Sequence, residues 1–151
     1  MTFAAAVASA VFLALSLLHV FWAFGGRALS ASVIPTTGPR GTAVLHPGSI
    51  ASSLVAFALF CAALLIALRS GLVRTPSQLP PELITAATWV LALVMAGRAV
   101  GDFRYVGFFK RIHGTPFAHW DTIAYSPLCL GLAVVCAWVA MSGSQAGEAP
   151  R

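Results

Sequence analysis

The sequence predicts an all-α membrane protein, a polytopic bundle of four transmembrane helices. Three observations carry that prediction. Hydrophobic residues make up 59% of the 151-residue chain. Charged residues make up only 9%, where a soluble domain carries roughly 25%, and a surface with so few charges would aggregate in water. The apolar residues gather in four runs, at about 3–24, 49–68, 83–101 and 122–141, each long enough to cross about 30 Å of hydrocarbon as a helix. Backbone inside lipid finds no water to bond, so helix is the state such isolated runs adopt. A single transmembrane domain, residues 1–151, is expected.

The punctuation between the runs agrees. Ala28-Leu29-Ser30 resembles a cleavage site after the first run. The segment before it lacks a basic n-region and its apolar core is too long for a signal peptide, so a retained helix is expected. Gly25-Gly26 can end that helix, and the connection 25–47, rich in Gly, Pro, Ser and Thr, is long enough to be functional or mobile. His46-Pro47-Gly48-Ser49 puts Ser49 where an N-cap belongs, and Arg69-Ser70-Gly71 closes the second helix. Pro80-Pro81-Glu82 opens the third, with proline in the first turn and a carboxylate at the helix N-terminus. Asp121-Thr122 opens the fourth, with Asp121 as its cap, and 145–151 reads as a short disordered tail.

The net charge of +5 invites a test for nucleic-acid binding, and the sequence fails it. The densest basic stretch, Arg104 to Arg111, holds three basic residues interleaved with aromatics, so no nucleic acid is expected. Basic residues flanking apolar spans set orientation instead. Five of them (Arg27, Arg40, Arg104, Lys110 and Arg111) lie in the first and third loops, against Arg69, Arg74 and Arg151 on the other side. That bias places the first- and third-loop side in the cytoplasm. Cys61, Cys129 and Cys136 form no CxxC pair and read as packing residues. No metal is expected, since His113 and His119 match no ligand spacing. No haem is expected either, since only His19 sits deep in a span.

Polar residues are gathered at one face. His46, His113 and His119 lie in the first and third loops, and His19 lies in the last turns of the first helix, which points there. Arg98, Asp102, Tyr105 and Phe109 follow at intervals of four, three and four, so they share one helical face. Arg98 precedes the end of the apolar run, where an ionisable residue normally faces the bundle interior with a partner, and Asp102 is the nearest candidate. Two readings fit the pair: a functional site, or a snorkelling arginine whose partner holds the helix end. Ser16, His19 and Trp22 share a face of the first helix, where a histidine can be packing and a tryptophan an interfacial anchor. Asp121, Tyr125 and Cys129 recur at intervals of four in the fourth. If the three faces converge, His19, Trp22, Arg98, Asp102, Arg104, Tyr105, Asp121 and Tyr125 surround a pocket. Such a set binds an anionic or hydroxylated head group, or moves a proton between carboxylate and imidazole.

The stretch Gly97-Arg98-Ala99-Val100-Gly101-Asp102-Phe103-Arg104-Tyr105-Val106-Gly107-Phe108-Phe109-Lys110-Arg111 carries a resemblance. With Thr115-Pro116-Phe117, Asp121, Tyr125-Ser126-Pro127-Leu128-Cys129, and His19-Val20-Phe21-Trp22 and Gly25-Gly26 near the start, it resembles a family of small bacterial four-helix membrane proteins, a domain of unknown function. The resemblance covers nearly the whole chain. It implies the four-helix architecture and brings no assigned reaction.

Two functions compete on the sequence. The first is a pocket for an amphiphile such as a lipid, isoprenoid or quinone, its head group read by Arg98, Asp102, Tyr105 and His19. The second is a non-enzymatic accessory subunit that docks a membrane-protein partner through its first and third loops. A channel or transporter needs polar residues through the whole depth, and the second span between Ser53 and Leu68 has almost none. No catalytic residue and no cofactor is assigned. The expected location is the bilayer of a bacterial inner membrane.

Overall fold

The computed structural model describes residues 2–26, 30–37, 42–44 and 48–142. Arg27, Arg40, His46, Ala28-Leu29 of the cleavage-like site and the 145–151 tail lie outside the described residues. In chain order the elements are α1 (Thr2–Ala23), α2 (Ser30–Val33), α3 (Ser49–Arg69), α4 (Pro81–Val100), α5 (Pro116–Trp120), a π-helical turn (Asp121–Tyr125) and α6 (Ser126–Ser142). The last three run on as one helix. Four helices, Thr2–Ala23, Ser49–Arg69, Pro81–Val100 and Pro116–Ser142, are therefore long and apolar enough to cross a membrane. The described residues contain no strand beyond an isolated bridge between Thr36 and Ala43. The chain is an all-helical, multi-pass membrane protein.

Most ends fall where local chemistry puts them. α1 stops just before Gly25, whose φ of 86° lies in the left-handed region that glycine enters without steric cost. α4 begins at Pro81 with Glu82 in its first turn. Gly48, one residue before the expected Ser49, takes the cap position of α3.

Two boundaries differ from the sequence reading, and both matter for the site. The third span ends at Val100, so Asp102, Tyr105 and Phe109 do not continue the face of Arg98. Gly101 ends it, with φ 90°. The fourth span starts at Pro116, and Thr115 is its cap, its hydroxyl accepting the Ala118 N–H at 3.0 Å. Asp121 is thus inside the helix and not at its start.

α1 packs mainly on α3, and α4 mainly on α6. Lipid tails are as apolar as leucine, so helices in a membrane associate through close packing and interhelical hydrogen bonds, not through exclusion of water. The α1–α3 seam shows both. Ser9 donates to the Ala63 carbonyl at 3.1 Å and Ser16 to the Ala56 carbonyl at 2.8 Å. Each such bond contributes about 0.6 kcal/mol. The core joins all four spans: Ala5, Ala8 and Phe12 with Ala62, Ala63, Ile66, Ala92, Leu132, Cys136 and Val139. It occupies the half of the bundle nearer the N-terminus. The stripe of Ala5, Ala8 and Phe12 continues at helical spacing to Leu15, His19 and Trp22, which are only half-buried. α1 is thus packed most closely through its N-terminal half. At the same end of the bundle, Arg69 Nη2 donates to the Ala140 carbonyl at 2.8 Å.

Candidate functional site

The loop 101–115 folds back onto the ends of α4 and the fourth span. Asp102 organises it. One carboxylate oxygen, Oδ1, accepts the backbone N–H groups of Arg104, Tyr105 and Val106 at 2.9, 2.7 and 2.9 Å. Slight burial opposes ionisation, but these N–H donors outweigh it and hold the carboxyl below its ordinary value of 3.8. The turn brings Gly107 against Val100 and Gly101. A Cβ on Gly107 would lie 2.2 Å from the Val100 carbonyl oxygen, and its φ is 89°, so only glycine fits. The Phe108 N–H then donates to the Ala99 carbonyl at 2.8 Å, closing the loop on the helix it left.

This fold-back brings two donors to Asp121, whose side chain is 0% exposed, and Arg98 of α4 supplies the third. Arg98 Nη2 meets Oδ1 at 2.9 Å, while Lys110 Nζ and the Gly107 N–H meet Oδ2 at 3.0 and 2.8 Å. Lys110 Nζ also donates to the Gly107 carbonyl at 2.9 Å and to Thr122 Oγ1 at 2.7 Å. The Thr122 hydroxyl gives its own proton to the Ala118 carbonyl at 3.0 Å. Lys110 therefore uses three donors, which only the charged ammonium possesses. Arg98, expected to pair with Asp102, pairs with Asp121 instead, because Asp102 lies beyond the helix end with Oδ1 filled by backbone.

Two polar atoms in this region are buried without a hydrogen-bond partner among the described residues: Arg98 Nη1 and Ser126 Oγ. Buried polar groups are nearly always bonded, so each exception calls for an explanation. The other span hydroxyls show the rule, with Thr85, Thr88 and Thr122 each donating to the carbonyl four residues back. Ser126 is the departure. Its amide donates to the Asp121 carbonyl across the π turn, five residues back. Asp121 and Ser126 therefore stack on one stripe of the helix, continuing the core line of Val139, Cys136, Leu132 and Cys129. π turns of this kind recur at functional sites.

The remaining candidates lie outside this hydrogen-bonded cluster. His19 Nδ1 lies 2.8 Å from the Leu15 carbonyl, and its ring meets Trp22 edge-on at 4.9 Å, so both of these contacts lie within its own helix. Both sit on the inward stripe of α1, half-buried, and His19 has no bond to the Asp121 cluster. Arg104 is exposed and lies over the Tyr105 ring at 5.2 Å. Tyr125 is half-buried, 6.3 Å from the Phe117 ring, and within electrostatic reach of Asp121. The sequence reading missed Lys110 as a site residue, along with Gly107, Thr122 and Ser126. Lys110 is the chain's only lysine, yet no helical spacing links it to Asp121, since an irregular loop makes the connection. The described residues gather no set of three His, Cys, Asp or Glu side chains that would hold a metal ion. What the site offers is cationic and hydroxyl donors.

No curated protein and no solved structure matches the chain. A family comparison does find a match, over residues 12–136, which takes in His19, Trp22, the loop 101–115 and the whole Asp121 cluster. The match bears out the resemblance carried by those residues, and the chain belongs to that family, described as a protein of unknown function (DUF3995).

Proposed function

We propose that this membrane protein binds an amphiphile, a lipid, isoprenoid or quinone, with its head group against Arg98 and its chain among the helices. The observation that carries the reading is the state of the Arg98 guanidinium. One terminal nitrogen is fixed on Asp121, and the other is buried with no partner among the described residues. Arginine in a bilayer is costly and is kept where it does something. Its planar fork serves two acceptors at once, so Asp121 holds one side and a ligand takes the other. Lys110 and Gly107 brace Asp121, which preorganises the guanidinium before the ligand arrives.

The other candidates have supporting places. Asp102 shapes the loop that carries Arg104, Tyr105 and Lys110, and His19, Trp22 and Tyr125 are half-buried within the spans. The membrane in question is a bacterial inner membrane, with the loop face in the cytoplasm.

Native mass spectrometry of gently purified protein tests this. Wild type should retain a lipid- or quinone-sized adduct. Arg98→Lys keeps a cation for Asp121 but loses the second fork, so the adduct should drop to a small fraction. A co-purifying polypeptide with no amphiphile would overturn the reading in favour of an accessory subunit docking through the first and third loops.

A further inference from the structure

We infer that the head group bound here carries a single negative charge, and that Arg98 Nη1 and Ser126 Oγ are its two hydrogen-bond donors. The inference rests on the amphiphile-binding reading and adds the chemical class of the ligand.

The charge follows from the cluster itself. Arg98 and Lys110 contribute two positive charges and Asp121 one negative, linked at 2.9 and 3.0 Å, which leaves +1. Asp121 and Lys110 are buried, with side chains 0% and 1% exposed, while Arg98 is 32% exposed, so the excess charge lies at the edge of the cluster. An uncompensated charge in a medium of low dielectric is expensive unless a counter-charge joins it. One negative charge brings the sum to zero. A dianion would overshoot to −1, and a neutral head group would leave the excess where it is. No other carboxylate joins the cluster: Asp102 is bonded to the backbone of its own loop, and the two remaining acidic residues are Glu82 and Glu148. Glu82 begins α4 at the opposite face, and Glu148 lies outside the described residues.

The second donor comes from the π turn. In a regular helix the Ser126 hydroxyl would take the Thr122 carbonyl, as Thr122 takes that of Ala118. The extra residue in the turn denies it that partner and stacks it over Asp121. Ser126 is 0% exposed, so the unmatched hydroxyl is a second buried donor, one π turn from the aspartate that Arg98 binds. Two unpartnered donors on residues next to Asp121 suit an oxyanion, whether the carboxylate of a fatty acid or the phosphodiester of an anionic glycerolipid.

The test measures binding to the full chain in neutral-detergent micelles, by thermal stabilisation. The probes are oleate, its neutral counterpart oleyl alcohol, dioleoylphosphatidylglycerol and sodium acetate. Oleate or phosphatidylglycerol should bind at least tenfold more tightly than oleyl alcohol, and whichever does so identifies the oxyanion. Ser126→Ala should weaken that binding roughly tenfold or more, since a hydrogen bond to a charged group is being lost. The variant removes an unpartnered hydroxyl, so its unliganded stability should match or exceed wild type. Comparing the two proteins in the same micelles cancels any effect of probe charge on the detergent. Equal binding of oleate and oleyl alcohol would overturn the single-charge inference while the amphiphile reading stood. Acetate binding as well as oleate would remove the amphiphile reading and leave an anion site. Unchanged affinity in Ser126→Ala would remove Ser126 from it.

Discussion

Asp121→Asn separates a capping aspartate from one held between two cations. Asparagine caps a helix about as well as aspartate, so an end-capping Asp121 would tolerate the change. Here the residue lies inside the fourth span, and the amide leaves Arg98 and Lys110 without their counter-charge. Breaking a buried pair costs about 3–5 kcal/mol, and Asp121→Asn should lose stability on that scale in detergent unfolding. The partner assignment is checked by double-mutant cycles. Arg98→Ala with Asp121→Ala should be clearly less than additive, while Arg98→Ala with Asp102→Ala should be additive within about 0.5 kcal/mol. Asp102 has its own signature in pH. Its folded-state carboxyl titrates below 3.8, so its contribution is fully present above that value and is lost as pH falls through the lower folded value. Wild type should therefore lose melting temperature more steeply below pH 3.8 than Asp102→Asn, which has nothing to titrate. Matching acid limbs would show that the loop does not depend on the ionised form.

At the level of elements, the π turn has one removable feature. Ile123 is 54% exposed, toward lipid. Deleting it should restore a regular helix in which Asp121 and Ser126 stand four residues apart and keep one stripe. The span keeps ample length, so the protein should still insert, and the coupling between Arg98 and Asp121 should survive. A cycle that showed no coupling would mean that the π geometry itself positions the site. Gly107→Ala attacks the same cluster from the loop. Its Cβ would collide with Val100, and the strain should cost at least about 1–3 kcal/mol. These two elements also mark where the sequence stopped being legible. The spans were plain from length and apolarity, and Gly25, Gly71 and Pro81 announced their ends. Arg98 stood out as a charge too deep to be idle. Its partner was misread because Asp102 is at i+4 only if the helix continues, and Gly101 stops it. A one-residue π insertion leaves no periodic trace, and a lysine brought in by a folded loop obeys no spacing rule. Hence the architecture was readable, whereas the junction of Arg98, Lys110, Asp121 and Ser126 required coordinates.

For the whole molecule, the site geometry sharpens the orientation argument. Counted from sequence, the first and third loops carry Arg27, Arg40, Arg104, Lys110 and Arg111, against Arg69, Arg74 and Arg151 on the other side. Two of these are engaged inside the bundle. Lys110 is buried with three acceptors on its ammonium, and Arg69 is bonded to the Ala140 carbonyl between helices. Charges absorbed by the fold are poor orientation signals, because the rule acts through residues free to meet the membrane surface. Removing one from each side leaves Arg27, Arg40, Arg104 and Arg111 against Arg74 and Arg151, so the excess stays with the loop face. That face should lie in the cytoplasm, with both termini outside. A C-terminal alkaline phosphatase fusion should be active, and a C-terminal fluorescent reporter should stay dark. Lys110→Gln should leave this pattern unchanged while destabilising the protein, because it removes a structural charge. Arg104→Gln with Arg111→Gln removes two surface charges, brings the count level at two each, and should give a mixed orientation with little loss of stability. A fluorescent C-terminal fusion in wild type would reverse the assignment and put the Arg98 site on the outer face.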